Sequence, residues 1–134
     1  MKKFILFFAI LGMAFTSCQK DETPEESAPY EVNITIVRPE AGQINMTVAP
    51  VGIEVNFERG PNEIIHFVKI EVLDSDGNLV ETLLDEHAHV EGSYSYLNDQ
   101  GFTANEKGEY TLRASSSDME GNEVTPVEVN FFAQ

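Results

Sequence analysis

Val51-Gly52-Ile53-Glu54-Val55-Asn56-Phe57-Glu58 decides the fold class. Its apolar residues recur with period two, which places Val51, Ile53, Val55 and Phe57 on one face of a half-buried strand. Working outward from this stretch, the same alternation returns on both sides. Toward the N-terminus, Tyr30, Val32, Ile34 and Ile36 alternate with Glu31, Asn33 and Thr35 until Arg38-Pro39. Ile44, Met46 and Val48 make a second short alternation. Toward the C-terminus, Glu58-Arg59-Gly60-Pro61-Asn62 is loop chemistry, and Ile64 to Leu73 is a β-rich run with Val68, Ile70 and Val72 on one face. Ser75-Asp76-Gly77-Asn78 predicts a hairpin turn, because Asp-Gly supplies the positive φ that tight turns need. Leu79 to Asp85 returns as its partner, and Tyr94 to Leu97 is a shorter strand before a loop over Asn98 to Gly108. Tyr110, Leu112 and Ala114 alternate next, and the turn Asp118-Met119-Glu120-Gly121-Asn122 leads to a last strand through Val127, Val129 and Phe131.

Seven or eight short strands bounded by turn signals, with no helical periodicity, predict an all-β, immunoglobulin-like or fibronectin-type antiparallel sandwich over residues 30–134. The absence of a cysteine pair and of tryptophan excludes an antibody-type domain. Gly108-Glu109-Tyr110-Thr111-Leu112, followed by Asp118-Met119-Glu120-Gly121-Asn122, resembles the penultimate strand and final hairpin of bacterial immunoglobulin-like and fibronectin-type modules. That resemblance covers about the last 30 residues, and it implies a tyrosine-corner role for Tyr110.

The N-terminal stretch has a different character. Met1-Lys2-Lys3 is a basic opening, and Phe4 to Phe15 is an apolar run of 12 residues, well short of the ~20 that a spanning helix needs. Thr16-Ser17 and the single cysteine, Cys18, follow. Phe15-Thr16-Ser17-Cys18 resembles the lipobox of bacterial lipoproteins, although the commonest version has Leu three residues before Cys and Gly or Ala just before it. The resemblance implies cleavage after residue 17 and lipid on Cys18, so that residues 1–17 are a signal peptide. Lys20-Asp21-Glu22 resembles the acidic surface-export signal of Bacteroidetes-type lipoproteins. It implies an outer-membrane protein, exposed at the cell surface rather than on the periplasmic face. Residues 18–29 read as the lipidated cysteine and an acidic tether, whose eleven residues from Gln19 to Pro29 reach at most about 36 Å. The whole arrangement resembles a domain-of-unknown-function family of Bacteroidetes lipoproteins that carries a His-x-His element near the middle. His87-Ala88-His89 stands at the matching place.

Charge and composition narrow the function classes. The chain has 8 Lys+Arg against 23 Asp+Glu, a net charge of −15. Removing Lys2 and Lys3 with the signal leaves six basic residues against the same 23 acidic ones. Such a surface repels phosphates and excludes a nucleic-acid partner. One cysteine excludes a disulfide framework and a multi-cysteine zinc site. No nucleophile elbow, phosphate loop or HExxH motif is present, and Ser115-Ser116-Ser117 comes with no paired base, so the chain reads as non-enzymatic. The leading expectation is an adhesion, scaffolding or presentation module, anchored to the membrane by its lipid and meeting a protein or glycan partner.

Three histidines carry the main alternative, a Zn²⁺ or Cu²⁺ site. A turn pairing residue 75 with 78 sets His66 directly opposite His87, with His89 next on the same face. Asp85, Glu86, Asp118 and Glu120 are carboxylates expected nearby. The competing reading makes His66 an edge-of-core residue and places His87 and His89 in a loop. Asp74-Ser75-Asp76-Gly77-Asn78 also suggests a calcium loop, but the twelfth position is Asp85 in a strand rather than a bidentate Glu, which favours a plain turn. Tyr94, Tyr96 and Phe132 would supply an aromatic platform if the partner is a glycan; sheet-face packing is the competing role. The sequons at Asn33 and Asn45 have no counterpart machinery in a bacterial lipoprotein.

The lipobox has a direct consequence: Cys18→Ala should block metabolic lipid labelling and release the chain from the membrane fraction or stall its processing. Partition of wild-type protein into the aqueous phase of a detergent extraction would contradict the assignment.

Overall fold

Two β-sheets pack face to face in the computed structural model, which describes residues 28–134. The expected signal peptide, the expected lipid-bearing Cys18 and the Lys20-Asp21-Glu22 element lie outside the described residues. Eight strands follow in chain order: β1 (Asn33–Arg38), β2 (Ile44–Asn45), β3 (Pro50–Glu58), β4 (Ile64–Asp74), β5 (Leu79–Glu91), β6 (Ser93–Thr103), β7 (Gly108–Ser117) and β8 (Val127–Ala133). One sheet has the order β1-β3-β6, the other β2-β8-β7-β4-β5. All pairings are antiparallel except the two-residue ladder of β2 on β8. Two antiparallel sheets whose strands come from alternating parts of the chain make an immunoglobulin-like, fibronectin-type sandwich.

The alternation in β3 forms the centre of the core. Val51, Ile53, Val55 and Phe57 are essentially sealed from solvent. They face Ile65, Val68, Ile70 and Val72 of β4, Leu112 and Ala114 of β7, and Phe131 of β8. Each such side chain contributes about 1.5–3 kcal/mol on burial. Tyr110 fills the tyrosine-corner role, as its hydroxyl donates to the Glu106 carbonyl at 2.9 Å. Its ring packs between Phe102 and Phe131 at centroid distances of 5.4 and 5.8 Å.

Three strand expectations need correction. Ile44, Met46 and Val48 do not point inward; they are 62%, 75% and 75% exposed. The polar residues between them take the inward bonds instead: Asn45 Nδ2 donates to the Phe132 carbonyl and Thr47 Oγ1 to that of Gln134. Residues 98–103 are strand rather than loop, because β6 stays paired with β3 through a bulge opposite Val51 and Ile53. Gly101 permits that close approach, since a Cβ there would stand 2.5 Å from Ile53 Cγ1. The third correction is the largest: β5 runs past Asp85 to Glu91 and carries both His87 and His89 on a strand.

The two turns share one design. Asp74 Oδ1 accepts the backbone N–H groups of Asp76 and Asn78, and Oδ2 accepts Asn78 Nδ2. Asp118 binds Glu120 and Asn122 in the same way. The bonds to Asn78 and Asn122 lower the pKa of each aspartate. Those carboxylate oxygens are committed to closing a turn, which answers the calcium reading. Gly77, at φ +82°, supplies the left-handed residue that the turn requires.

Val55→Asp would place an unpaired carboxylate at a position with 0% exposure. It should destabilise the domain by several kcal/mol and prevent folding. Near-normal thermal unfolding of that variant would contradict the assignment of the inner face of β3.

Candidate metal centre

The histidines lie at the open end of the β4–β5 hairpin, and a break in alternation puts them there. Ile65 and Val68 both point into the core, three residues apart, a spacing that strict period two cannot provide. The strand therefore slips between Ile65 and Phe67. His66 and Phe67 fall in the slip, half-buried and outside the core cluster. On the partner strand Val90 pairs with Ile65 and His87 with Phe67, so Ala88 and His89 face His66 alone. This is a bulge, and His89 adopts φ 45° within it.

The expected register is corrected by the same feature. Asp74 and Asn78, not residues 75 and 78, close the turn through a 2.9 Å backbone bond. Two further shifts follow, between Val72 and Leu73 and between Ile70 and Glu71. Phe67, not His66, is thus opposite His87, and the two rings stack at 4.5 Å with an interplanar angle of 20°. His66 and His87 come together despite this, because the bulge folds His89 back between them. Ring centroids are 5.4 Å apart for His66 and His89 and 5.5 Å for His87 and His89. One nitrogen from each ring lies within 4.8 Å of the others. Tetrahedral Zn–N bonds of about 2.0–2.1 Å put ligand nitrogens roughly 3.4 Å apart, so small side-chain rotations would close the set on one ion.

Electrostatics favour the ligand form of His66. Burial lowers its pKa, His89, His87 and Arg59 lower it further, and Asp118 opposes them. The imidazole is therefore neutral at pH 7, the state that binds metal. His66 Nδ1 is the one buried side-chain nitrogen or oxygen among the described residues without a hydrogen-bond partner. Leaving such an atom unsatisfied costs about 1–3 kcal/mol.

The carboxylates expected at the site are occupied elsewhere. Glu86 accepts the Tyr94 hydroxyl at 2.7 Å, and burial together with that bond raises the Tyr94 pKa to about 12. Asp118 holds its own turn, and its field alone reaches His66. Asp85 pairs across from Lys69 and lines a groove of about 200 Å³ with Phe67, Ser115, Ser117 and Glu123. Neither Asp85 nor Glu120 belongs to the ligand group, which consists of the three histidines. The aromatic platform is also absent as drawn. Tyr94 and Tyr96 pack on the core from β6, and Phe132 belongs to β8 in the other sheet. Ser116 was legible only as part of a serine run; it is buried and donates to the Phe67 carbonyl at 2.6 Å.

Fold and site together define a fibronectin-type β-sandwich with a three-imidazole cluster at one end. Among solved structures, the chain is similar to CopC from Methylosinus trichosporium OB3b, with 18% identity over 76% of this chain and 94% of that one, at a TM-score of 0.45. It is similar to the CARDB domain of the PF1109 protein from Pyrococcus furiosus, solved in complex with di-metal ions, at 12% identity, 78% and 88% coverage and a TM-score of 0.48. The fibronectin(III)-like modules of Clostridium thermocellum CbhA give 14%, 76%, 97% and 0.45. At such identities and TM-scores the likeness says nothing of ligand or activity. No protein-family profile and no curated protein sequence matches the chain.

The lowered pKa of His66 has a measurable sign. Protonation is opposed in the folded state, so His66 should titrate with a midpoint below the ordinary 6.5 in NMR spectra of the metal-free protein. Its contribution to stability is present above 6.5 and is lost as pH falls through the folded value. A midpoint at or above 6.5 would contradict the buried, like-charged surroundings described.

Proposed function

We propose that this chain is a non-enzymatic, lipid-anchored envelope module that binds a Zn²⁺ or Cu²⁺ ion through His66, His87 and His89. The orphaned Nδ1 of His66, in a cluster of three converging imidazoles, is the observation that carries the reading. A neutral imidazole whose Nδ1 makes no hydrogen bond is free to turn a lone pair toward a cation, and imidazole suits both metals. His87 and His89 are exposed on an edge strand, so the ion has an entry path and a fourth coordination position open to water or a partner's ligand. The surplus of acidic residues raises the local concentration of divalent cations by long-range attraction. The lipobox resemblance at Cys18 and the Lys20-Asp21-Glu22 element support attachment to the outer membrane with display at the cell surface. An adhesion or scaffolding module would use the same frame, but it leaves the histidine cluster unexplained.

The test uses the mature chain, residues 18–134, with Cys18→Ser removing a rival thiol ligand. Zn²⁺ or Cu²⁺ should raise the melting temperature, with about 2.7 kcal/mol of stabilisation at a hundredfold excess over the dissociation constant. The shift should fade below about pH 6.5, where protons compete for the imidazoles. A chelator should reverse it, and His66→Ala or His87→Ala should remove most of it. An unchanged metal-induced shift in the His66→Ala/His87→Ala double variant would dispose of the site.

A further inference from the structure

Tyr30, where the chain from the N-terminus enters the sandwich, is bonded into the bulge that presents His66. The slip leaves the His66 backbone N–H without a strand partner in either ladder, and the Tyr30 hydroxyl accepts it at 3.2 Å. That hydroxyl is 2.9 Å from Ser116 Oγ, and Ser116 in turn donates to the Phe67 carbonyl. The polarity is consistent along the chain of bonds: His66 N–H to Tyr30, Tyr30 O–H to Ser116, Ser116 O–H to Phe67. Both β4 residues at the slip are therefore tied to a buried serine on β7, Phe67 directly and His66 through a tyrosine that precedes β1.

Tyr30 is held from its other side as well. The Arg59 guanidinium lies 4.5 Å from the centre of its ring. Arg59 also donates to the Glu31 carbonyl at 2.9 Å and to that of Ile64 at 2.7 Å. One cation thus fixes the residue after Tyr30 and the first residue of β4. The Tyr30 and His66 rings are 6.2 Å apart, so the ring also walls the imidazole.

We infer that Tyr30 is a positioning residue for the histidine centre, so that metal binding at His66 and docking of the chain's point of entry stabilise each other. This rests on the metal reading above. Metal held by His66 immobilises the bulge, and an immobile bulge keeps its N–H aimed at Tyr30. Linkage requires the converse: a docked Tyr30 raises metal affinity by the same factor. The segment that leads to the proposed lipid anchor thereby senses occupancy of the site.

The experiment compares the mature Cys18→Ser chain with versions that add Tyr30→Phe, Ser116→Ala or Tyr110→Phe. Tyr30→Phe keeps the ring and its contact with Arg59 but loses the hydroxyl. Calorimetric titration with Zn²⁺ should show affinity about tenfold weaker in Tyr30→Phe, the scale seen when an outer partner of a metal ligand is removed, and weaker in the same direction in Ser116→Ala. Tyr110→Phe removes a bond of the distant tyrosine corner and should leave affinity unchanged, which separates positioning from general destabilisation. Cu²⁺ should give an altered electron paramagnetic resonance hyperfine pattern in Tyr30→Phe alone of the two tyrosine variants. Metal should slow amide hydrogen exchange at His66 in the parent but not in Tyr30→Phe. Should Tyr30→Phe fold poorly, Ser116→Ala carries the comparison. Parent binding with unchanged affinity in both Tyr30→Phe and Ser116→Ala would overturn the coupling and leave the metal reading intact. Failure of the parent itself to bind either metal would overturn both.

Discussion

The three-residue spacing between Ile65 and Val68 is the constraint on which the site depends. The core admits both side chains, and a regular strand cannot supply them at that spacing. The slip that resolves the conflict turns His66 out of the core and leaves its N–H for Tyr30. It also gives β5 an extra residue, and the resulting bulge carries His89 against the other two rings. Hydrophobic burial thus fixes the position of the imidazoles, and no bond between them is needed. The cluster sits on two paired strands, one of them anchored in the core, rather than on a loop, a favourable place for ligands that must hold their geometry.

The remaining polar groups are mostly spent on the frame. Arg38, Arg59, Lys69 and Arg113 each meet a carboxylate within 4 Å. These are largely surface pairs of small individual worth. Asp74 and Asp118 close turns, and Glu86 with Tyr94 ties edge strand β5 to β6 in the opposite sheet. That bond, together with the bulges and the charges of Glu81, Asp85, Glu86 and Glu91, protects an edge that would otherwise invite strand addition. His66 Nδ1 stands out because, among the described residues, the other buried side-chain nitrogens and oxygens have found partners.

Much of the fold was legible in the sequence. The period-two pattern of Val51 to Phe57 is a core strand to the residue, and Tyr110 keeps the place that its flanking Gly-x-Tyr-x-Leu pattern implied. What failed did so for identifiable reasons. Ile44, Met46 and Val48 alternate correctly, but alternation cannot say which face is inside when Asn45 and Thr47 bond to the protein's own backbone. The start of the expected Asn98 to Gly108 loop has the composition of a turn, yet β6 resumes its pairing with β3 at Phe102 after a bulge. The three histidines do come together, but not through the register that grouped them. A uniform register from the Asp76-Gly77 turn put His66 opposite His87, whereas register shifts along β4–β5 put Phe67 there and brought His66 back through His89. Bulges depend on what the facing sheet requires, and local sequence does not encode that. The one available signal was the parity break between Ile65 and Val68. Tyr30 and Ser116 carried no signal of their part in the site, since that part arises from contacts between distant segments.

The central claim is that one metal ion sits among His66, His87 and His89. Crystals of the mature chain grown with Zn²⁺, measured on both sides of the zinc absorption edge, test it most directly. The account predicts one dominant anomalous peak about 2.0–2.1 Å from a nitrogen of each of the three rings. Peaks confined to surface carboxylates, with the three imidazoles unliganded at saturating zinc, would contradict it.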